Sequence, residues 1–151
     1  MHSRIFQVSH EPLDVEDYLQ EYELHDTSFI GHIADYVCDS DRENDIELLK
    51  SCACGYLVGS DEHGEYIIIT DKKKYFANAF EIFKKALNEI AGCTLDDFTK
   101  EICSMWNLND SYNDEFGFYV YTDYPITFDE FVRNSPINQK FYIGGTVDYH
   151  W

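Results

Sequence analysis

At Asp71 the apolar period of this chain changes from that of a strand to that of a helix. Tyr66-Ile67-Ile68-Ile69-Thr70 is a nearly continuous apolar run rich in β-branched residues, which reads as a buried strand. Beyond Asp71, a plausible N-cap, Phe76, Ala79, Phe80, Phe83, Ala86, Leu87 and Ile90 fall at i, i+3, i+4, i+7 spacing and form one helical stripe. Gly92 stands where a helix C′ residue belongs. The pattern predicts a strand and a long helix around which the rest of the chain packs.

The flanking segments add elements in mixed order. Ser3–Ser9 reads as a strand, with Ile5, Phe6 and Val8 apolar. Pro12 opens a helix with Asp14, Glu16 and Asp17 in its first turn and Val15, Tyr18, Leu19 and Tyr22 on one face. His25–Ser28 reads as a loop or cap, and Phe29, Ile30, Ile33, Tyr36 and Val37 restart the helical period. Ser40 and Glu43 have capping-box spacing ahead of Ile46, Leu49 and Ala53. Residues 11–47 are thus expected to be helical and acid-faced.

Gly55–Val58 and Tyr66–Thr70 flank the turn-forming run Gly59–Gly64, which predicts a hairpin with a longer loop. Thr94 and Asp97 cap a helix carrying Leu95, Phe98 and Ile102, and Thr127 and Glu130 cap a shorter one. Phe116–Tyr121 and Phe141–Trp151 alternate as strands, the second interrupted by Gly144-Gly145, a bulge or a close backbone approach. The expectation is a single α+β domain of 151 residues. It has a mostly antiparallel sheet of about five strands, helices on one face, and its first and last strands near each other.

Charge decides which partners are excluded. The formal net charge is −18, and residues 11–47 hold thirteen acids against one base, Arg42. Such a field repels nucleic acid and anionic membrane and attracts basic surfaces at salt-dependent rates. Solubility alone would also account for an acidic surface. Aromatic residues make up 17% of the chain, which opposes disorder. No run approaches the roughly 18 apolar residues of a membrane span, and Met1–Phe6 lacks the apolar stretch of a signal peptide. Five cysteines, two of them in a C-x-C pair, suit reduced thiols rather than a disulfide framework. A cytoplasmic location is expected.

Four constellations offer chemistry. Asp39, Asp41, Glu43 and Asp45 have the spacing of the first ligands of a calcium loop. Asn44 stands where that loop needs glycine, however, and Lys50 where it needs a bidentate glutamate. Cys52, Cys54 and His63 are three soft ligands where structural zinc wants four. Lys72-Lys73-Lys74, in the first turn of the long helix, reads as an anion site, as neutralisation of the acidic third, or as solvated surface. Asp148 and His150 share a strand face, with no nucleophile tied to them. No metal or cofactor motif stands out, nor any phosphate loop or catalytic signature.

Ser3–Ser9, Ile33–Val37 and Tyr142–His150 resemble a family of small acidic bacterial proteins carried in chromosomes and mobile elements. The resemblance implies one domain and cytoplasmic residence, and it brings no active-site residues. The expected function is non-enzymatic. An acidic helical face (Glu16, Asp17, Glu21, Glu23, Asp35, Asp39, Asp41, Glu43 and Asp45) binds a basic protein surface. Its sharper form mimics nucleic acid, as anti-restriction or anti-CRISPR inhibitors do. The alternative is a small enzyme or anionic-ligand binder with a pocket near Lys72–Lys74 or His150.

Overall fold

A computed structural model of the chain describes residues 1–25 and 28–151, so the expected cap at His25–Ser28 lies partly outside the described residues, at Asp26 and Thr27. The architecture is α+β, with a mostly antiparallel seven-stranded sheet built on its last strand. That strand, Lys140–His150, runs antiparallel along His2–Ser9, the first strand, so the first and last strands are direct neighbours. Numbered in chain order, the strands are β1 (His2–Ser9), β2 (Tyr36–Asp39), β3 (Tyr56–Asp61), β4 (Gly64–Ile69), β5 (Tyr119–Tyr121), β6 (Pro125–Thr127) and β7 (Lys140–His150). The sheet order is β3-β4-β7-β1-β5-β6, with β1 and β5 parallel.

The other edge of β7 is divided between two strands. β4 pairs with Lys140–Phe141–Tyr142, and β2 pairs with Val147 through His150. Between them, at Ile143–Thr146, the edge of β7 is left to side chains.

A bulge in β7 gives the domain two cores. Phe6 pairs with Thr146 and Val8 with Ile143, so two steps along β1 match three along β7. Phe141 and Ile143 therefore face one side of the sheet, and Val147 and Tyr149, at the same parity, face the other. The first core joins Phe6, Val8, Ile46, Leu49, Ile67, Ile69, Val120, Phe131, Phe141 and Ile143. The second joins Ile5, Leu19, Leu24, Phe29, Ala34, Val37, Tyr119, Val147 and Tyr149. Gly144 and Gly145 are thus both bulge and close approach. A Cβ on Gly145 would lie 2.5 Å from the Leu19 carbonyl oxygen.

The helices are α1 (Arg42–Ser51), α2 (Lys72–Ala91), α3 (Leu95–Phe98), α4 (Ser104–Tyr112) and α5 (Phe128–Asn134). The first core collects residues of α1 and α5, with Tyr75 and Phe76 at the start of α2 packed against it. The hairpin is tighter than expected, with Asp61 and Gly64 already paired across a two-residue turn.

Residues 11–47 depart from the helical expectation. Val15–Asp17 and Glu21–Leu24 are single 3-10 turns, Tyr36–Asp39 is a strand, and an α-helix begins only at Arg42. The cause lies in Gln7. Its amide oxygen accepts from Leu19 N and Gly145 N, each at 2.8 Å, and its amide nitrogen donates to the Asp17 carbonyl at 3.0 Å. Backbone groups that a helix would have paired are satisfied by this side chain instead. Farther on, Gly31 turns with φ of +87° and donates to Ala34 O at 2.8 Å, which delivers Val37 to β2. The segment is a strap over the second core.

The long helix departs from expectation too. Asp71 caps it, its carboxylate accepting from Lys74 N at 3.0 Å, but Ala86 alone is buried among its described residues. Beyond Phe76, α2 leaves the sheet and pairs with α4 as a helical arm. The chain is organised around β7 rather than around α2.

Candidate interaction surface

The open edge of β7 is closed by Arg42. Its Nε donates to the Gly144 carbonyl at 2.7 Å, and one Nη donates to the Ile143 carbonyl at 2.9 Å and to Glu65 at 2.8 Å. Its guanidinium carbon lies 5.1 Å from the centre of the Tyr18 ring. Ser40 and Thr146 hydroxyls meet at 3.0 Å beside it. The one base among thirteen acids is therefore spent on sheet carbonyls and on Glu65, outside the acidic segment. Its hydrogen bond and charge hold the Glu65 carboxyl below its ordinary range.

Several carboxylates lie on the segments that reach this edge. Asp17 adjoins Tyr18 on the strap, and Asp41 and Glu43 flank Arg42 in sequence. Burial, together with the charges of Asp148, Glu21 and Asp39, pushes the Cys38 thiol up, which places Glu21 and Asp39 in one neighbourhood. Glu16, Asp17, Glu23, Asp35, Asp39, Asp41 and Glu43 are exposed, and Glu21 is half-buried. Glu23 also accepts from Gln20 N at 2.7 Å, and Asp41 accepts from Glu43 N and Asn44 N as the cap of α1.

Asp45 does not belong with them. It is 2% exposed and accepts from Arg4 Nε, while Arg4 Nη1 donates to Asp148 at 2.8 Å. Its placement on the first turn of α1 turns it inward, against β1. This also takes Asp45 out of the calcium-loop arrangement.

Among the described residues, Asp35 is the other member of the set near a basic side chain, lying 3.4 Å from His150 Nδ1. His150 stacks on Tyr36 with ring centres 5.0 Å apart, and His2 Nδ1 donates to the Asp148 carboxylate at 2.9 Å. This end of the sheet holds two imidazoles and two carboxylates, with no serine, threonine or cysteine side chain bonded to them among the described residues.

Of the three lysines, Lys72 and Lys73 line one groove with Phe76 and Phe80. Lys72 donates to the Arg133 carbonyl at 2.6 Å, and the α2 N-terminus is already occupied by the Asp71 carboxylate. Cys52 and Cys54 are exposed, Cys54 lies 3.6 Å from the Lys74 carbonyl, and His63 sits beside Glu62 on the hairpin turn.

Two surface features carry no local sequence signal. One is a cleft of about 440 Å³ between α2 and α4, lined by Asn78, Asn107, Asp110, Asp114 and Asp129. Burial and the neighbouring Asp129 push the Asp114 carboxyl up. The other is the apolar outer side of the arm. Alternation and stripe patterns signal that a residue is apolar but not which element covers it.

No known protein family, curated protein or solved structure matches the chain. Among the described residues, no helix is long and apolar enough to cross a membrane.

Proposed function

We propose that this protein is a non-enzymatic interaction module that presents the carboxylates of its N-terminal strap and the start of α1 to a basic protein surface. The carrying observation is the use of Arg42 inside the sheet edge, which leaves Glu16, Asp17, Glu21, Asp39 and Glu43 without a cationic side chain of their own among the described residues. A face of unpaired like charges concentrates field lines and favours a counter-charged partner. Asp41 contributes charge while capping α1, and Asp45 is excluded as an internal partner of Arg4.

The partner class is a protein with a basic groove, of the kind that binds nucleic acid. In the sharper form of the reading, spaced carboxylates stand in for phosphates and the host location is cytoplasmic. The test is capture of partners from the host's own extract at low and high salt, with identification of what is retained. Basic proteins retained at low salt and released as the Debye length shrinks from about 10 Å to about 3 Å fit the reading. Displacement of the same partner by duplex DNA or by RNA fits the mimic form. Retention unaffected by salt contradicts both.

A further inference from the structure

Residues 72–112 carry six lysines and six acids, so the arm is neutral within a chain of net charge −18. Its charge is also divided. The α2 helix has five lysines and two glutamates, whereas residues 92–112 have four acids and one lysine. Two copies of this chain repel each other almost everywhere, and the arm is the region where they can meet without adding like charge.

The arm is also where apolar surface is left open. Phe76, Phe80, Phe83, Leu87 and Ile90 follow the 4-3-4-3 spacing of a helix-packing seam. Phe80 is 55% exposed and Leu87 47%, with Tyr112 of α4 61% exposed beside them. Phe76, Phe80, Phe83, Tyr112 and Arg133 line one apolar groove of about 280 Å³, which continues along Lys72, Lys73 and Ala77. At the far end of the arm, α3 exposes Leu95 (79%) and Phe98 (74%) beside Asp96 and Asp97.

We infer that a second copy of this chain occupies the groove, with the two α2 helices antiparallel about a two-fold axis near Phe83. A 20-residue helix spans about 30 Å. Antiparallel pairing centred on Phe83 sets Phe76 opposite Ile90 and brings Phe80 and Leu87 to within one residue of the same level. The same offset brings α3 of each copy, with its two apolar and two acidic side chains, to the Lys72–Lys73 end of the other. Apolar and charge complementarity are thus satisfied twice by one symmetry operation, as an isologous contact requires.

The area is sufficient. Aromatic side chains carry about 150–250 Å² each, so the exposed parts of Phe80, Leu87, Leu95, Phe98 and Tyr112 amount to about 500 Å². Lysine stems and the groove floor supply the rest of the about 800 Å² per partner of a standard interface.

The experiment is the solution mass of the full chain by light scattering over a concentration series up to about 100 μM. The expected mass is twice 17.7 kDa. Phe80→Glu with Leu87→Glu, both on the open side of α2, should give 17.7 kDa with an unchanged circular dichroism spectrum. Lys73→Asp should weaken the dimer by about tenfold or more, and adding Asp96→Lys in the same chain should restore it. A wild-type monomer at the highest concentration overturns the inference and leaves the groove to a foreign partner. So does a dimer unaffected by the Phe80 and Leu87 changes, or a Lys73→Asp loss that Asp96→Lys does not repair.

Discussion

Arg42 Nε donates to the Gly144 carbonyl oxygen at 2.7 Å, across 102 residues of chain. The contact falls where β4 has ended and β2 has not begun, so a side chain supplies the donors that a neighbouring strand would have supplied. Two main-chain carbonyls and Glu65 depend on it. The acidic strap lies beside this clamp, and both the stability of the edge and its negative field follow from where the guanidinium is committed.

Arg42→Ala should therefore destabilise the domain by about 2–4 kcal/mol, because charged hydrogen bonds contribute about 1.5–3 kcal/mol each and the freed carbonyls are re-solvated only in part. Urea unfolding monitored by circular dichroism measures it. Arg42→Lys, with one compact ammonium in place of a planar fork, should recover less than half of the loss. A neutral Arg42→Ala would show that the open edge needs no clamp.

Asp45→Ala should act on folding and leave the charge-led binding intact. It strands Arg4, which keeps Asp148 at 2.8 Å, so the expected cost is about 2 kcal/mol rather than the larger loss of a fully isolated buried charge. Comparison with Glu16→Gln, whose side chain is exposed, separates the two roles. Equal stability of the two variants would contradict the inward placement of Asp45.

Gly145→Ala introduces a Cβ that would sit 2.5 Å from the Leu19 carbonyl oxygen and 2.7 Å from its nitrogen. The strap must then shift off the bulge, at about 1–3 kcal/mol. Hydrogen exchange should show the loss of protection first at the Leu19 and Gly145 amides, which share the Gln7 oxygen.

The pH dependence contains two opposed contributions. Glu65 has a depressed pKa in the folded state. Its stabilisation is present above its unfolded pKa and is lost as pH falls through the folded value. Asp114 has a raised pKa, so its ionised form opposes folding, and that penalty develops as pH rises from its unfolded to its folded pKa. Asp114→Asn should accordingly raise the melting temperature at neutral pH, with the gain vanishing below the ordinary aspartate range. The same gain at both pH values would sink the assignment.

Most of the sheet was readable in the sequence, from alternation in residues 3–9 and 141–151 and the continuous apolar run 66–70, whereas β2 lay in a stretch with helical spacing and β6 gave no strand pattern. The nearness of first and last strands was expected and the two pair directly, and the paired glycines signalled the Gly144-Gly145 irregularity. The strap was not. Val15, Tyr18, Leu19 and Tyr22 have helical spacing, yet Val15 and Tyr22 are exposed and Leu19 is buried, because Gln7 captures the backbone first. Such a long-range side-chain contact leaves no local signal. Likewise the stripe on α2 marks apolar residues without saying whether sheet, helix or solvent meets them. Of the nine carboxylates read as a surface, Asp45 was misplaced because its partner Arg4 lies 41 residues away.

The most direct test of the central claim compares capture by the wild type with capture by a variant carrying Glu16→Gln, Asp17→Asn, Glu21→Gln, Asp39→Asn and Glu43→Gln, at about 0.05 M and about 0.5 M salt. Both chains are first matched for stability. A basic partner retained by the wild type at low salt, released at high salt and not retained by the variant at either is the predicted result. The same partner held equally by both chains would show that recognition lies elsewhere on the domain.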